Sequence, residues 1–155
     1  MGIFLKDISL RGKTALITGA TKGLGRGAAE AIAEAGGNII AIGRNQSELD
    51  SLGKKIKKLK VKYTSFNCDV NNYGKIKNFI NSLKKLDVLV NNAGTNIPEN
   101  FLKVKKTSLE TILNVNTKAV FNIAQLCANQ IIKLDRKEGS IINISSIFGL
   151  VAGQK

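Results

Sequence analysis

The chain has 155 residues, 43% of them hydrophobic, and carries 24 Lys and Arg against 11 Asp and Glu, for a formal net charge of +13. That length and apolar content suit one globular domain with a sizeable core and exclude a disordered tail. The complete absence of His removes the usual base of a serine triad and most zinc and iron ligand sets.

The N-terminal MGIFLKDISLRGK has too brief an apolar stretch for a signal peptide, and Lys6 stands where a myristoylation motif needs Ser or Thr. No later run is long enough to span a bilayer, so a cytoplasmic protein with no membrane partner is expected. Residues 13–18 (KTALIT) form a short apolar strand that enters a glycine-rich turn. The helix after it places Leu24, Ala28, Ala31, Ile32 and Ala35 on one face and ends at Gly36-Gly37. Residues 38–43 (NIIAIG) are a second continuous apolar run. The next helix carries Leu49, Leu52, Ile56 and Leu59 at helical spacing, which puts the lysines of KKIKKLK on its solvated face. The positive charge is otherwise dispersed, aromatic residues are scarce and Trp is absent, so no nucleic-acid partner is expected.

A third strand spans residues 61–68, and Ile76, Phe79, Ile80 and Leu83 mark a third amphipathic helix. Residues 86–90 (LDVLV) form a fourth strand running into Asn91-Asn92-Ala93-Gly94. A single long helix is expected over residues 108–134, with Leu109, Ile112, Leu113, Val120, Ile123, Ala124, Cys127 and Ile131 facing inward. Residues 140–144 form the fifth strand. Cys68 and Cys127, far apart and without a CxxC or CxxH partner, are expected to be reduced core or strand-end residues. Continuous apolar strands alternating with amphipathic helices predict an α/β fold, a doubly wound parallel sheet covered on both faces. No linker or repeat suggests a second domain, so residues 1–155 are expected to form one.

The turn TGATKGLG (Thr18, Gly19, Ala20, Thr21, Lys22, Gly23, Leu24, Gly25) lies between the first strand and the first helix. Glycines there let backbone N–H groups approach a ligand, and the helix N-terminus offers partial positive charge to a pyrophosphate. From Gly23 the run also satisfies G-x-G-x-x-A, which points to a dinucleotide cofactor. After the second strand, Arg44 stands where an NAD site usually places an acid. A guanidinium there, with Lys22 as a second cation, favours the 2'-phosphate of NADP over NAD; the alternative is that Arg44 is only a solvated strand-end residue. Asn116 shares a predicted helical face with apolar residues, so its amide needs partners there, whether in a site or in a tie between helix and sheet. Asn91 to Gly94 line the carboxyl edge of the sheet or form a strand-to-loop turn held by Asn side chains.

Five features in order, from about Leu10 to Gly149, resemble the N-terminal part of the short-chain dehydrogenase/reductase family. TGATKGLG resembles its cofactor turn, Asp69-Val70 its adenine-side acid, and Asn92, Ala93 and Gly94 in NNAG its second signature. Asn116 in LNVNTKAVF falls at its active-site Asn, and Ser146 in NISS at its catalytic Ser. The resemblance implies a Rossmann-like sheet in the order 3-2-1-4-5-6-7, of which five strands are present. It implies an NADP(H)-dependent enzyme passing hydride between nicotinamide and a small carbonyl or secondary alcohol: a 3-oxoacyl thioester, a sugar or sugar acid, or a similar substrate.

In that family a Tyr-x-x-x-Lys pair exchanges the proton, Ser orients the substrate oxygen and Asn holds a relay water. No Tyr-x-x-x-Lys follows Ser146 here. Tyr73 to Lys77 spells one, but it opens the third helix, before NNAG, and is expected to be surface. The resemblance therefore implies a chain that stops before the family's Tyr-x-x-x-Lys helix, lacks its C-terminal strands and helices, and is inactive and poorly stable alone. Full-length members are usually homo-oligomers. Alternative readings are a catalytically dead nucleotide-binding module and a basic nucleic-acid-binding protein.

Overall fold

The structure, a computed structural model, describes residues 9–136 and 138–147. The readings made of residues 1–8 and of the stretch beyond Ile147 lie outside the described residues. Five strands form one sheet: β1 (Thr14–Thr18), β2 (Asn38–Gly43), β3 (Tyr63–Asn67), β4 (Val88–Asn91) and β5 (Ser140–Asn143). All neighbours are parallel, in the order β3-β2-β1-β4-β5. The helices are α1 (Gly23–Glu34), α2 (Gln46–Lys57), α3 (Tyr73–Ser82), α4 (Lys106–Leu113) and α5 (Val120–Lys133). This is the expected Rossmann-like α/β arrangement of five strands.

The central strands carry unbroken apolar runs, residues 15–17, 39–42 and 88–90, because side chains alternate between two buried faces. Ala15, Ile17, Ile39 and Ala41 face α1 and α2, where Ala29, Ala33, Leu49, Leu52 and Ile56 meet them. Leu16, Ile40, Ile42 and Leu89 face the other way, against Ile76, Ile80, Ile123, Leu126, Cys127 and Ile131 of α3 and α5. Burial of the thiols raises the pKa of both cysteines, that of Cys127 to about 12, and neither is in a disulfide.

Two helical faces differ from the sequence reading. In α1 the buried residues are Gly25, Ala29 and Ala33, whereas Leu24 is 75% exposed and Ala31 is exposed. The face that meets the sheet is built from small side chains, which let the helix approach closely, and of the expected face Ile32 packs at its border and Ala35 is buried, while Leu24 and Ala31 turn outward. The long helix is also not continuous. A π-helical stretch, Asn114–Ala119, separates α4 from α5. Its wider turn shifts the phase of the pattern, so Ile123, Cys127 and Ile131 are buried while Leu109 and Leu113 are about half exposed, at 49% and 48%.

At the amino edge of the sheet Asp87 is 2% exposed and accepts from the Thr14 N–H at 2.8 Å and from Arg136 Nε at 2.9 Å. This carboxylate ties the segment entering β5 to β1. Gln130 of α5 is buried and donates to the Leu83 carbonyl at 2.7 Å, closing the end of α3. Among the described residues β5 pairs only with β4, and all four of its residues are exposed. No described helix is long and apolar enough to cross a membrane.

Candidate functional site

At the carboxyl end of β1 the chain turns sharply. Gly19 has φ 63°, and a Cβ there would stand 2.9 Å from Ala93 Cα, so this position needs glycine for both conformation and space. Gly25 is equally confined, because a Cβ would overlap Asn92 Nδ2 and the Gly19 carbonyl. Thr18 is buried at 1% exposure, and its Oγ1 accepts from the backbone N–H groups of Asn92 and Ala93 at 3.1 and 3.0 Å. Asn92 Nδ2 returns donations to the carbonyls of Thr18 and Gly19. The two signatures seen in the sequence are thus sewn together.

The helix starts differ in a way that matters for a ligand. Asn45 caps α2 by accepting from the Glu48 N–H, and Asn72 caps α3 by accepting from the Lys75 N–H. Helix α1 has no side-chain cap and no acid in its first turn. Its first N–H groups and positive dipole end are left for an anion.

Beside that helix start lies a cavity of about 580 Å³, within the range of small-molecule and cofactor sites. Gly19, Thr21, Lys22 and Gly23 of the turn line it, together with Arg44 after β2. Asp69 and Val70 after β3, and Asn92, Ala93 and Gly94 after β4, complete the wall. Of the residues singled out for cofactor binding, Thr18, Leu24 and Gly25 do not line it: Thr18 and Gly25 are buried, and Leu24 is largely exposed.

Residues that sequence reasoning missed also line the cavity, among them Asn45, Glu48, Thr95 and Val115. The S/T/D/N-x-x-E spacing of Asn45 and Glu48 marks a helix start, and that was the available signal for placing them at this edge. Both cations of the cavity face carboxylates: Lys22 Nζ lies 3.1 Å from Glu48 Oε1, and Arg44 lies 3.7 Å from Asp69 Oδ2. Asp69 also accepts from the Asn71 N–H at 2.8 Å.

Asn116 lies within the π-helical stretch and is exposed rather than set in an apolar interface. Its amide finds its partners on one neighbour, accepting from the Thr95 N–H at 2.9 Å and donating to the Thr95 carbonyl at 2.8 Å. It therefore fixes the loop just after Gly94 and reaches the cavity through Thr95. Low helix propensity across Asn114, Val115, Asn116 and Thr117 was the sole hint of the irregular turn.

Asn91 is 2% exposed and links the two structural arms of this edge, donating to the Val120 carbonyl and to Asn143 Oδ1 at 3.3 and 3.0 Å. Ser146 is exposed, at the same carboxyl edge, two residues after Ile144, whose N–H bonds to the Asn91 carbonyl. Neither Asn116 nor Ser146 lines the cavity itself. Tyr73 is 45% exposed with Lys77 Nζ 6.0 Å from its ring centroid, and neither residue lines the cavity. Among the described residues no group of three or more His, Cys, Asp or Glu could hold a metal ion.

A doubly wound parallel sheet with an open helix start at the end of its first strand defines a nucleotide-binding α/β protein. Residues 13–155 match the short chain dehydrogenase family, and the chain belongs to it. It is 34% identical over 145 residues to a 3-oxoacyl-[acyl-carrier-protein] reductase of Thermotoga maritima, covering 91% of this chain and 58% of that relative. A putative 2-deoxy-D-gluconate 3-dehydrogenase from Agrobacterium tumefaciens, solved with bound NADP, superposes with a TM-score of 0.85 at 28% identity. That match covers 94% of this chain and 57% of the other. Carveol dehydrogenase from Mycobacterium avium, solved with NAD, gives a TM-score of 0.85 at 26% identity, covering 93% and 58%. The chain thus spans rather more than half the length of these relatives.

Proposed function

We propose that the chain is the dinucleotide-binding part of an NADP(H)-dependent short-chain dehydrogenase/reductase acting on a small carbonyl or secondary alcohol, of the 3-oxoacyl thioester or sugar and polyol type. The observation that carries this reading is the uncapped start of α1, opening beside a cavity that also presents Lys22 and Arg44. Backbone N–H groups from Gly23 onward would take the pyrophosphate, with Gly19 and Thr21 forming the turn beneath it. Arg44 and Lys22 favour a 2'-phosphate, and Asp69 with Val70 would border the adenine. Asn92, Ala93 and Gly94 would wall the nicotinamide side. When bound, the nicotinamide supplies the hydride chemistry.

Ser146 would orient a substrate oxygen at the carboxyl edge. Asn116 would keep Thr95 and Gly94 in place and stand near the proton path. The proton exchange itself is assigned to no residue of this chain, since no Tyr-x-x-x-Lys follows Ser146. The 155 residues are therefore expected to bind cofactor without oxidising it.

Calorimetric titration with NADPH and NADH tests the binding step, and NADPH absorbance in the presence of a 3-oxoacyl thioester or a ketose tests turnover. Saturable binding of NADPH, tighter than NADH and weakened by salt, supports the reading. Absence of binding by either dinucleotide overturns it. Binding without turnover by a longer chain that carries a Tyr-x-x-x-Lys segment would instead favour a catalytically dead module.

A further inference from the structure

We propose that Glu48 is a specificity-determining residue of this cavity, weakening its preference for a 2'-phosphorylated dinucleotide by engaging Lys22 and by opposing the phosphate charge. The inference rests on the reading of the cavity as a dinucleotide site and names the residue that tunes it.

Glu48 is the third residue of α2, where its backbone N–H already donates to Asn45 Oδ1 at 3.2 Å. The helix start is capped without the carboxylate, and the side chain instead crosses to Lys22, linking the starts of α1 and α2 at 3.1 Å. The two partners are unequally solvated: the Lys22 side chain is 78% exposed and that of Glu48 only 26%. The carboxylate is the more fixed and less hydrated of the pair, so its charge is the less screened toward the cavity.

Arg44 is similarly faced by Asp69. Two cations and two carboxylates leave this part of the wall with no net charge, although the chain as a whole carries +13. A phosphate monoester bears about −1.5 to −2 charges near neutral pH. To use Lys22 it must draw the ammonium from Glu48, and the carboxylate then remains close by as a like charge. Asp69 has a second engagement, the Asn71 N–H, and is less free to yield. A dinucleotide without the 2'-phosphate has no such conflict with Glu48.

The test is calorimetric titration of the 155-residue chain and its Glu48→Gln variant with NADPH and with NADH, at low and raised salt. Glu48→Gln is expected to tighten NADPH binding by about three- to tenfold while changing NADH by less than about twofold. The NADPH gain should shrink at raised salt. Glu48→Ala should act in the same direction, and unchanged NADH affinity shows that the cavity is intact in either variant.

Weaker NADPH binding in Glu48→Gln would mean that the carboxylate positions Lys22 for the phosphate, which overturns the proposal. Equal shifts for both dinucleotides would show a merely structural role and also overturn it. If wild type binds both and the ratio is unchanged in the variants, this inference fails while the cofactor reading stands; if wild type binds neither, both fall.

Discussion

Thr18 and Asn92 hold each other twice: the Asn92 N–H donates to Thr18 Oγ1 at 3.1 Å, and Asn92 Nδ2 donates to the Thr18 carbonyl at 3.2 Å. The first strand and the NNAG turn are thereby fixed as one edge, and the cavity wall is built on it. Thr18→Val keeps the shape and deletes the acceptor of two N–H groups, so it should cost about 1–3 kcal/mol in urea unfolding. Thr18→Ser should recover most of that loss. A valine variant as stable as wild type would show that the clasp contributes nothing.

At the opposite edge of the sheet, Asp87 is the charge to remove. Its carboxylate is 2% exposed and bound by Arg136 and the Thr14 N–H. Asp87→Asn leaves a partly buried guanidinium without its counter-charge and should destabilise by about 1–3 kcal/mol, less than for a fully buried pair because Arg136 is one-third exposed. Replacing Arg136 and Asp87 together by apolar residues of similar volume should cost less than Asp87→Asn alone, measured by denaturant melts of all variants.

The small-residue face of α1 separates two substitutions that hydrophobicity would rank the other way. Leu24 is 75% exposed, so Leu24→Ala should change stability by no more than about 0.5 kcal/mol. Ala29 is fully buried against the sheet, and Ala29→Leu should destabilise by about 1–3 kcal/mol or more through overpacking. The reverse order in thermal melts would restore the larger-residue face.

Tyr63 gives the alkaline limb of stability. Burial, followed by the nearby Asp50 charge, raises its pKa from 10.0 to about 12, and its hydroxyl donates to the Leu49 carbonyl at 2.7 Å. Because the folded value lies above the unfolded one, its contribution is complete below pH 10 and is lost as pH rises toward 12. Tyr63→Phe should cost about 1 kcal/mol near neutrality and flatten the fall in stability over that alkaline window. Difference titration of tyrosine absorbance between the two proteins should isolate a phenol that ionises late.

Much of this architecture is legible in the residues because strand burial on both faces writes itself as an unbroken apolar run, and residues 38–43 coincide with β2 for that reason. The glycine turn and NNAG were legible because backbone approach leaves only glycine or alanine. The face of α1 was not, since close helix–sheet packing selects small residues that a hydrophobic pattern undervalues. Nor was the π-helical stretch around Asn116, where hydrogen-bond spacing changes without a Pro or Gly to announce it. The pairing of Lys22 with Glu48 joins residues from two helix starts, a juxtaposition that only the sheet order creates.

The proposed function requires a dinucleotide to occupy the cavity at the start of α1. Backbone amide correlation spectra of the chain, recorded during titration with NADPH, test it most directly. The expected result is saturable shifts concentrated at Gly19 to Gly25, Arg44, Asp69 and Asn92 to Thr95, with little change at Lys54, Lys55 and Lys58 on α2 and beyond. Shifts confined to those lysines, or none at all, would contradict it.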